Sequence, residues 1–273
     1  MSRLSTIVRP LGLRLVLLLI GLVVTLPLLF LVSLSLRSPD DVQNGGWIPT
    51  RFVWANFSNA FDTIPLATMA RNSWIVAVGA ALLTVVIAVP AAYFAARAPS
   101  GQRLSGVLLG SYCAPPVAAL LPLYYLFKDA GLTNNVLGLI LVDGLATVPV
   151  AVWLLEGFVR RIPEEIEEAA WLDGLSAGAT LRRIVVPLIA PGIVAVGLIS
   201  LFLSYNEFLF AVSFSQRTDS QTLTVGLSLF QGDHTIQYGQ QAAASLIGVV
   251  PMYVLAVLAQ RWLVAGLTAG GVK

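Results

Sequence analysis

Six apolar stretches, at Leu11–Leu36, Ser73–Ala95, Leu104–Phe127, Val136–Phe158, Leu188–Phe210 and Ala242–Val264, alternate with shorter polar connections along the chain. A helix needs about 20 predominantly apolar residues to cross the hydrocarbon core of a bilayer. The pattern therefore predicts an all-α membrane protein with six transmembrane helices, forming a single transmembrane domain over residues 1–273. The first stretch follows Arg3, Arg9 and Arg14, as the core of a signal peptide would. A signal core is only about 7–15 residues long, whereas this run continues from Leu15 to Leu36 and leads into Arg37. A retained helix is expected.

Basic residues orient the bundle. With the N-terminus in the cytoplasm, Arg3, Arg9, Arg14, Arg97, Arg103, Arg160, Arg161, Arg182, Arg183, Arg261 and Lys273 fall inside, eleven in all. Arg37, Arg51, Arg71, Lys128 and Arg217, five residues, fall outside, and an even number of spans returns the C-terminus to the cytoplasm. The first outer connection contains Asn44-Gly45-Gly46 and Trp47-Ile48-Pro49, which carry turn chemistry. Phe52, Trp54, Phe57 and Phe61 follow at loose helical spacing and predict a short helix at the membrane interface, where aromatic rings settle. Ser215–Gln241 is the next long outer connection. Prolines interrupt the spans at Pro27, Pro90, Pro115, Pro116, Pro149 and Pro251, and Pro115-Pro116 is the strongest hinge candidate.

Composition narrows the class further. Of 273 residues 57% are hydrophobic and 11% charged, against about 25% charged in an ordinary soluble domain. That excludes a soluble enzyme, a disordered tail and a nucleic-acid module, and a net charge of +2 gives no reason to expect a polyanionic partner. Cys113 is the only cysteine and His234 the only histidine, so neither a disulfide nor a metal site is expected. The two lysines, Lys128 and Lys273, are not preceded by glycine, which excludes a phosphate-binding GxxxxGK[ST] loop.

The segment Arg160–Gly192, between the fourth and fifth spans, reads RRIPEEIEEAAWLDGLSAGATLRRIVVPLIAPG and holds five of the fourteen acidic residues. Pro163 suits a first helical position, and the glutamates behind it favour the positive end of the helix dipole. A helix is predicted from Pro163 to Leu172, stopped at Asp173-Gly174 by a left-handed glycine. Ser176 then caps a second helix that carries Arg182 and Arg183 and enters the fifth span near Pro187. Helical spacing alone describes an amphipathic connector under the membrane.

The residues themselves are more specific. Glu168-Ala169-Ala170, three residues, Gly174, nine residues, Ile184, one residue, then Val186-Pro187 resembles the EAA loop of binding-protein-dependent ABC importer permeases, with Val186 where the family usually has leucine. Arg71-Asn72-Ser73 resembles the Asn-Ser pair that opens the second span in the carbohydrate-importer subgroup. Tyr205-Asn206-Glu207-Phe208 resembles that subgroup's Trp-Asn-Glu-Phe, and the tail Gln260–Lys273 is similar to the tails of maltose-type permeases, the second permease of the pair in particular.

The resemblance implies a type I ABC importer permease fold in a bacterial or archaeal cell (inner) membrane. It implies a paralogous permease subunit as heterodimer partner, two ATPase subunits that carry the ATP and magnesium, and an extracytoplasmic sugar-binding protein. This chain would hold no cofactor, catalyse no reaction, contact membrane lipid and bind no nucleic acid. Glu168, Ala169, Ala170, Asp173, Gly174, Ile184 and Pro187 would form the coupling segment, with Glu168 the charged contact and Ala169 and Ala170 the close-packing face against an ATPase. Gly266–Lys273 would extend toward the ATPase pair.

Sugar sites pair hydrogen-bonding groups with aromatic faces, and ionisable residues at membrane depth are functional candidates. Tyr112, Asp143, Tyr205, Asn206 and Glu207 are the candidates for the solute pathway, with Tyr124 and Tyr125 as further aromatics. Asp143 and Glu207 serve equally as packing acceptors. An amino-sugar or glycerol-phosphate-like cargo is an alternative, the latter disfavoured by the lack of in-span arginine or lysine. An ion-coupled secondary transporter would show internal repeats and several midplane charges, and neither is visible.

Overall fold

The computed structural model describes residues 2–231 and 237–271, with side chains for residue 14 and residues 16–101, 103–231 and 237–260. Every regular element among these residues is helical. In order they are α1 Ser2–Ser35, α2 Pro39–Gln43, α3 Ala55–Thr63, α4 Leu66–Arg97, α5 Gly101–Tyr112, α6 Pro116–Asp129, α7 Val136–Val159 and α8 Glu164–Leu172. There follow α9 Ala177–Thr180, a π-helical turn Leu181–Val185, α10 Val186–Leu188, α11 Ala190–Tyr205, α12 Leu209–Phe214, α13 Leu223–Ser228 and α14 Tyr238–Gly271.

Four stretches are continuous helices long and apolar enough to cross a membrane: Val16–Ser35, Leu66–Arg97, Val136–Val159 and Tyr238–Gln260. Two more crossings are bent pairs, Arg103–Tyr112 with Pro116–Asp129 at 92° and Ala177–Leu188 with Ala190–Tyr205 at 80°. Six crossings result if each pair counts as one.

The apolar stretches Leu104–Phe127 and Leu188–Phe210, each expected as one span, are thus bent within their length. In the first, Pro116 disfavours helical geometry at the residue before it, and Pro115 takes ψ 124° and ends the turn. Pro116 then opens α6 at its first position, where a missing N–H costs nothing. In the second, Pro191 has no N–H to offer the carbonyl one turn back, and the chain bends at Ile189 (φ −93°, ψ 8°). That helix also ends at Tyr205 rather than Phe210. Glu207 turns back to accept from the free amides of Phe210 and Ala211 at 2.9 and 3.0 Å, which satisfies donors at the start of α12.

The chain forms two compact units, Met1–Leu66 with Leu227–Val250 and Ala67–Gly226 with Pro251–Lys273. In the first, a short helix forms where the aromatic spacing predicted one, but α3 starts only at Ala55; it contains Phe57 and Phe61, while the exposed Phe52 and Trp54 precede it. Its Asn56 side chain donates to Ser35 O and Arg37 O, both at 2.9 Å, which anchors α3 to the end of α1.

The second unit is organised along α7. Leu139 and Val142 pack with Val76, Phe127, Phe210 and Phe214 near its start. Ala151, Val152 and Leu155 meet Ala88, Ala92 and Ala95 of α4 and Val196 of α11 further along. Val159 closes the stack with Ala96, Ile162, Val185 and Ile189. Small residues let α4 and α7 approach closely, as in membrane bundles generally. A Cβ on Gly144 would lie 2.8 Å from Leu83 Cδ2 and 3.2 Å from Ala80 O. Thr84 completes the seam, donating to Ala80 O at 2.8 Å and to Gly144 O at 2.9 Å.

Asn72 and Ser73 have a defined structural role. Asn72 Nδ2 donates to Asp219 O and Gln221 O, and Ser73 Oγ accepts from the Leu223 amide. Both residues are buried, and together they pin the connection before α13 onto α4.

Candidate functional site

The segment from Val159 to Ile189 is built by local rules. α8 begins directly after Pro163, which takes the capping position (φ −56°, ψ 133°) rather than the expected first helical one. Glu164, Glu165 and Glu167 fill the first turn, where the helix dipole favours negative charge. At the other end the Leu175 amide reaches Ala170 O and the Gly174 amide reaches Trp171 O, both at 3.0 Å. This is a Schellman stop, and Gly174 sits in the left-handed region at φ +86°. Ser176 caps α9 as its sequence predicts, its hydroxyl accepting from the Ala179 amide.

The outward face of α8 carries Glu165, Glu168, Ala169 and Leu172, spaced as one helical stripe. Leu172 is 89% exposed and Trp171 about half exposed, an apolar tip that sequence reasoning did not single out. Asp173, Gly174 and Pro187 are exposed, Ile184 is half-buried, and Ala170 is buried within the chain. Of the two expected close-packing alanines, only Ala169 faces outward.

Glu167, beside the predicted contact Glu168, is the residue the sequence did not reveal. It is 1% exposed, and both carboxylate oxygens are engaged from α4. Arg97 donates to Oε1 through Nε at 2.9 Å and Nη2 at 2.7 Å, and Tyr93 OH donates to Oε2 at 2.8 Å. Tyr93 and Arg97 are one helical turn apart, so both reach the same carboxylate. Arg97 Nη2 also donates at 3.2 Å to the carbonyl of Val159, the last residue of α7, and at 2.7 Å to Ile162 O in the turn after it. Its Nη1 reaches the exposed Glu164 at 3.4 Å. The signal was the i, i+4 pair Tyr93/Arg97 ending a span opposite a glutamate-rich helix.

A second polar cluster lies alongside. Glu156 accepts from Ser105 of α5 and forms an ion pair with Arg160 at 2.6 Å, while Arg160 Nη2 donates to Ala95 O at 3.3 Å.

The solute-pathway candidates separate into two groups. Asp143 is 4% exposed, and its Oδ2 accepts from Ser204 of α11 at 2.7 Å. Tyr205 is buried, with its ring 5.5 Å from that of Trp74. Glu207 is half-buried and occupied in capping α12, while its carbonyl accepts from Thr224. Asn206 and Tyr112 are exposed, Asn206 donating to Phe202 O at 2.8 Å. The structure thus brings Asp143, Ser204 and the Thr84–Thr147 hydroxyl pair into one buried seam and leaves Tyr112 apart from it. His234 and Asp233 lie outside the described residues, as do Val272 and Lys273 of the tail and all side chains beyond Gln260.

The family described as "Binding-protein-dependent transport system inner membrane component" matches residues 14–268. The chain is 35% identical over 251 residues to the sulfoquinovosyl glycerol transport system permease protein SmoH of Agrobacterium fabrum, covering 90% of this chain and 88% of that protein. It is 33% identical over 256 residues to the trehalose transport system permease protein SugB of Mycobacterium tuberculosis, covering 91% and 92%. Among solved structures, a bacterial ABC transporter involved in the import of the acidic polysaccharide alginate superposes with a TM-score of 0.79 at 18% identity, over 96% of this chain and 98% of that one. At that identity the likeness is one of fold.

Proposed function

The chain belongs to the binding-protein-dependent transport system inner membrane component family, and from that premise we propose that it is one permease subunit of an ATP-driven carbohydrate importer. Its spans form half of the translocation pathway, and a paralogous permease forms the other half. Two ATPase subunits hold ATP and magnesium on the cytoplasmic side, and an extracytoplasmic receptor delivers the solute. Both termini are cytoplasmic, in keeping with the distribution of arginine and lysine. Relatives named for sulfoquinovosyl glycerol and trehalose support a carbohydrate cargo.

The observation that carries this reading is α8 itself. It is a short helix with an outward face of Glu165, Glu168, Ala169 and Leu172, and it ends in a left-handed glycine. Such a surface suits a groove on a separate ATPase. Glu168 supplies charge, Ala169 allows close approach, and Trp171 and Leu172 give apolar area whose burial contributes about 25 cal/mol per Å². Asp143 and Tyr205 hold α7, α11 and α4 together. Asn206 and Tyr112 are the side chains this subunit offers to solute.

Site-directed cross-linking tests the proposal. The exposed native Cys113 is first replaced by serine. Single cysteines at Ala169 and Leu172 are then expected to cross-link to the co-expressed ATPase subunit, and one at the buried Ala170 is not. If neither outward position captures the ATPase in an assembled complex, α8 is not the docking element.

A further inference from the structure

We propose that the Tyr93–Arg97–Glu167 cluster is the joint that makes α8 move the bundle, with Glu167 a positioning residue for coupling; this rests on the reading of α8 as the ATPase-docking element. A helix pushed from outside transmits motion only through what connects it to the spans. The covalent connections of α8 are two turns. Before it the Arg160, Arg161 and Ile162 amides bond back to Glu156 O, Phe158 O and Val159 O, and after it the Schellman pair at Gly174 and Leu175 closes the helix. None of these backbone bonds ties α8 to α4.

The side-chain link does. Glu167 has one oxygen held by Arg97 and the other by Tyr93, from successive turns of the 32-residue helix α4. The same guanidinium binds the carbonyls of Val159 and Ile162, so one planar group fastens α4, the end of α7 and α8 together. Arginine suits this place because its rigid fork carries five donors, where lysine would offer a point charge. Ala96 of α4, Val159 of α7, Ile162 of the turn before α8, Val185 of the π-helical turn and Ile189 between α10 and α11 pack into one apolar cluster at this end of α4 and α7. A buried ion pair is weak evidence for stability, since well-packed apolar residues often serve as well. Its geometric specificity is what a transmission joint requires. Rigid-body switching needs elements that keep their arrangement while they move.

The experiment uses the full importer in proteoliposomes, with purified receptor and its sugar, and reads solute imported per ATP hydrolysed. Ala169 cross-linking yield is recorded on the same variants. Glu167→Ala and Arg97→Ala are expected to keep docking and ATP hydrolysis while the ratio falls about tenfold, within the usual range of coupling free energies between sites. Both changes break one joint, so the double variant falls no further than either single one. Glu167→Gln retains acceptor and donor groups and recovers most of the ratio, whereas Arg97→Lys recovers little. Tyr93→Phe leaves the ion pair in place and lowers the ratio in a fully assembled complex, including where the alanine variants do not assemble. Intact cross-linking with a wild-type ratio in Glu167→Ala overturns the joint. So does a parallel loss of complex, transport and hydrolysis across all variants with the ratio unchanged. Absence of the cross-link in the parent chain contradicts the docking reading instead, and the joint with it.

Discussion

Adjacent glutamates on α8 have opposite roles because each residue advances about 100° around a helix. Glu167 turns inward to Arg97 and Tyr93, while Glu168 turns outward to solvent. The EAA resemblance points to Glu168 and not to its neighbour, whose partners stand 70 and 74 positions away, at the end of another span. Gly174 is the contrary case. Asp-Gly at a helix end states its left-handed geometry in the sequence, and φ is +86°. A side chain there meets open space, so a substitution strains only the backbone, by about 1–2 kcal/mol. Gly174→Val is expected to tilt α8 and reduce solute imported per ATP, with Gly174→Asn reducing it less, since asparagine tolerates the left-handed region. Equal wild-type ratios in both variants would contradict a role for this turn in setting the helix angle.

At the scale of elements, apolar stretches were legible as membrane segments and their bends were not. Hydropathy counts residues and is blind to direction. Leu104–Phe127 has the composition of one span, yet Pro115 and Pro116 turn it through 92°. The proline pair was visible as a hinge candidate; the size of the turn depends on the ψ of 124° that Pro116 imposes on Pro115. In the fifth stretch the outer break depends on Glu207 capping α12, a contact that no periodicity encodes. Spin labels at Gly106 and Tyr125 distinguish the bent pair from a straight span. A rise of about 1.5 Å per residue separates them by roughly 28 Å in a continuous helix and roughly 18 Å across a right-angled bend. The parent chain is expected to give the shorter distance, and Pro115→Ala with Pro116→Ala to lengthen it. An unchanged distance would show that the prolines do not cause the bend.

For the whole molecule, charge poverty and six apolar stretches made a membrane protein legible, and the sequence contains no phosphate-binding GxxxxGK[ST] loop. The expectation of partners came from the resemblance of Glu168, Ala169, Ala170, Gly174, Ile184 and Pro187 to the EAA loop of importer permeases, since helical spacing alone describes an amphipathic connector. The solute was less legible. Asp143, the most conspicuous in-span acid, is engaged with Ser204 in a buried seam, and the exposed Asn206 and Tyr112 are ordinary polar residues on any reading of composition. On the proposed function, this chain is half of a channel worked by a separate ATPase. The most direct test is uptake of a labelled disaccharide, chosen by receptor binding, into proteoliposomes. The chain alone, under proton or sodium gradients, is expected to import nothing. The complete complex with receptor, second permease and ATPases is expected to import only when ATP is supplied. Gradient-driven uptake by the chain alone would contradict the account.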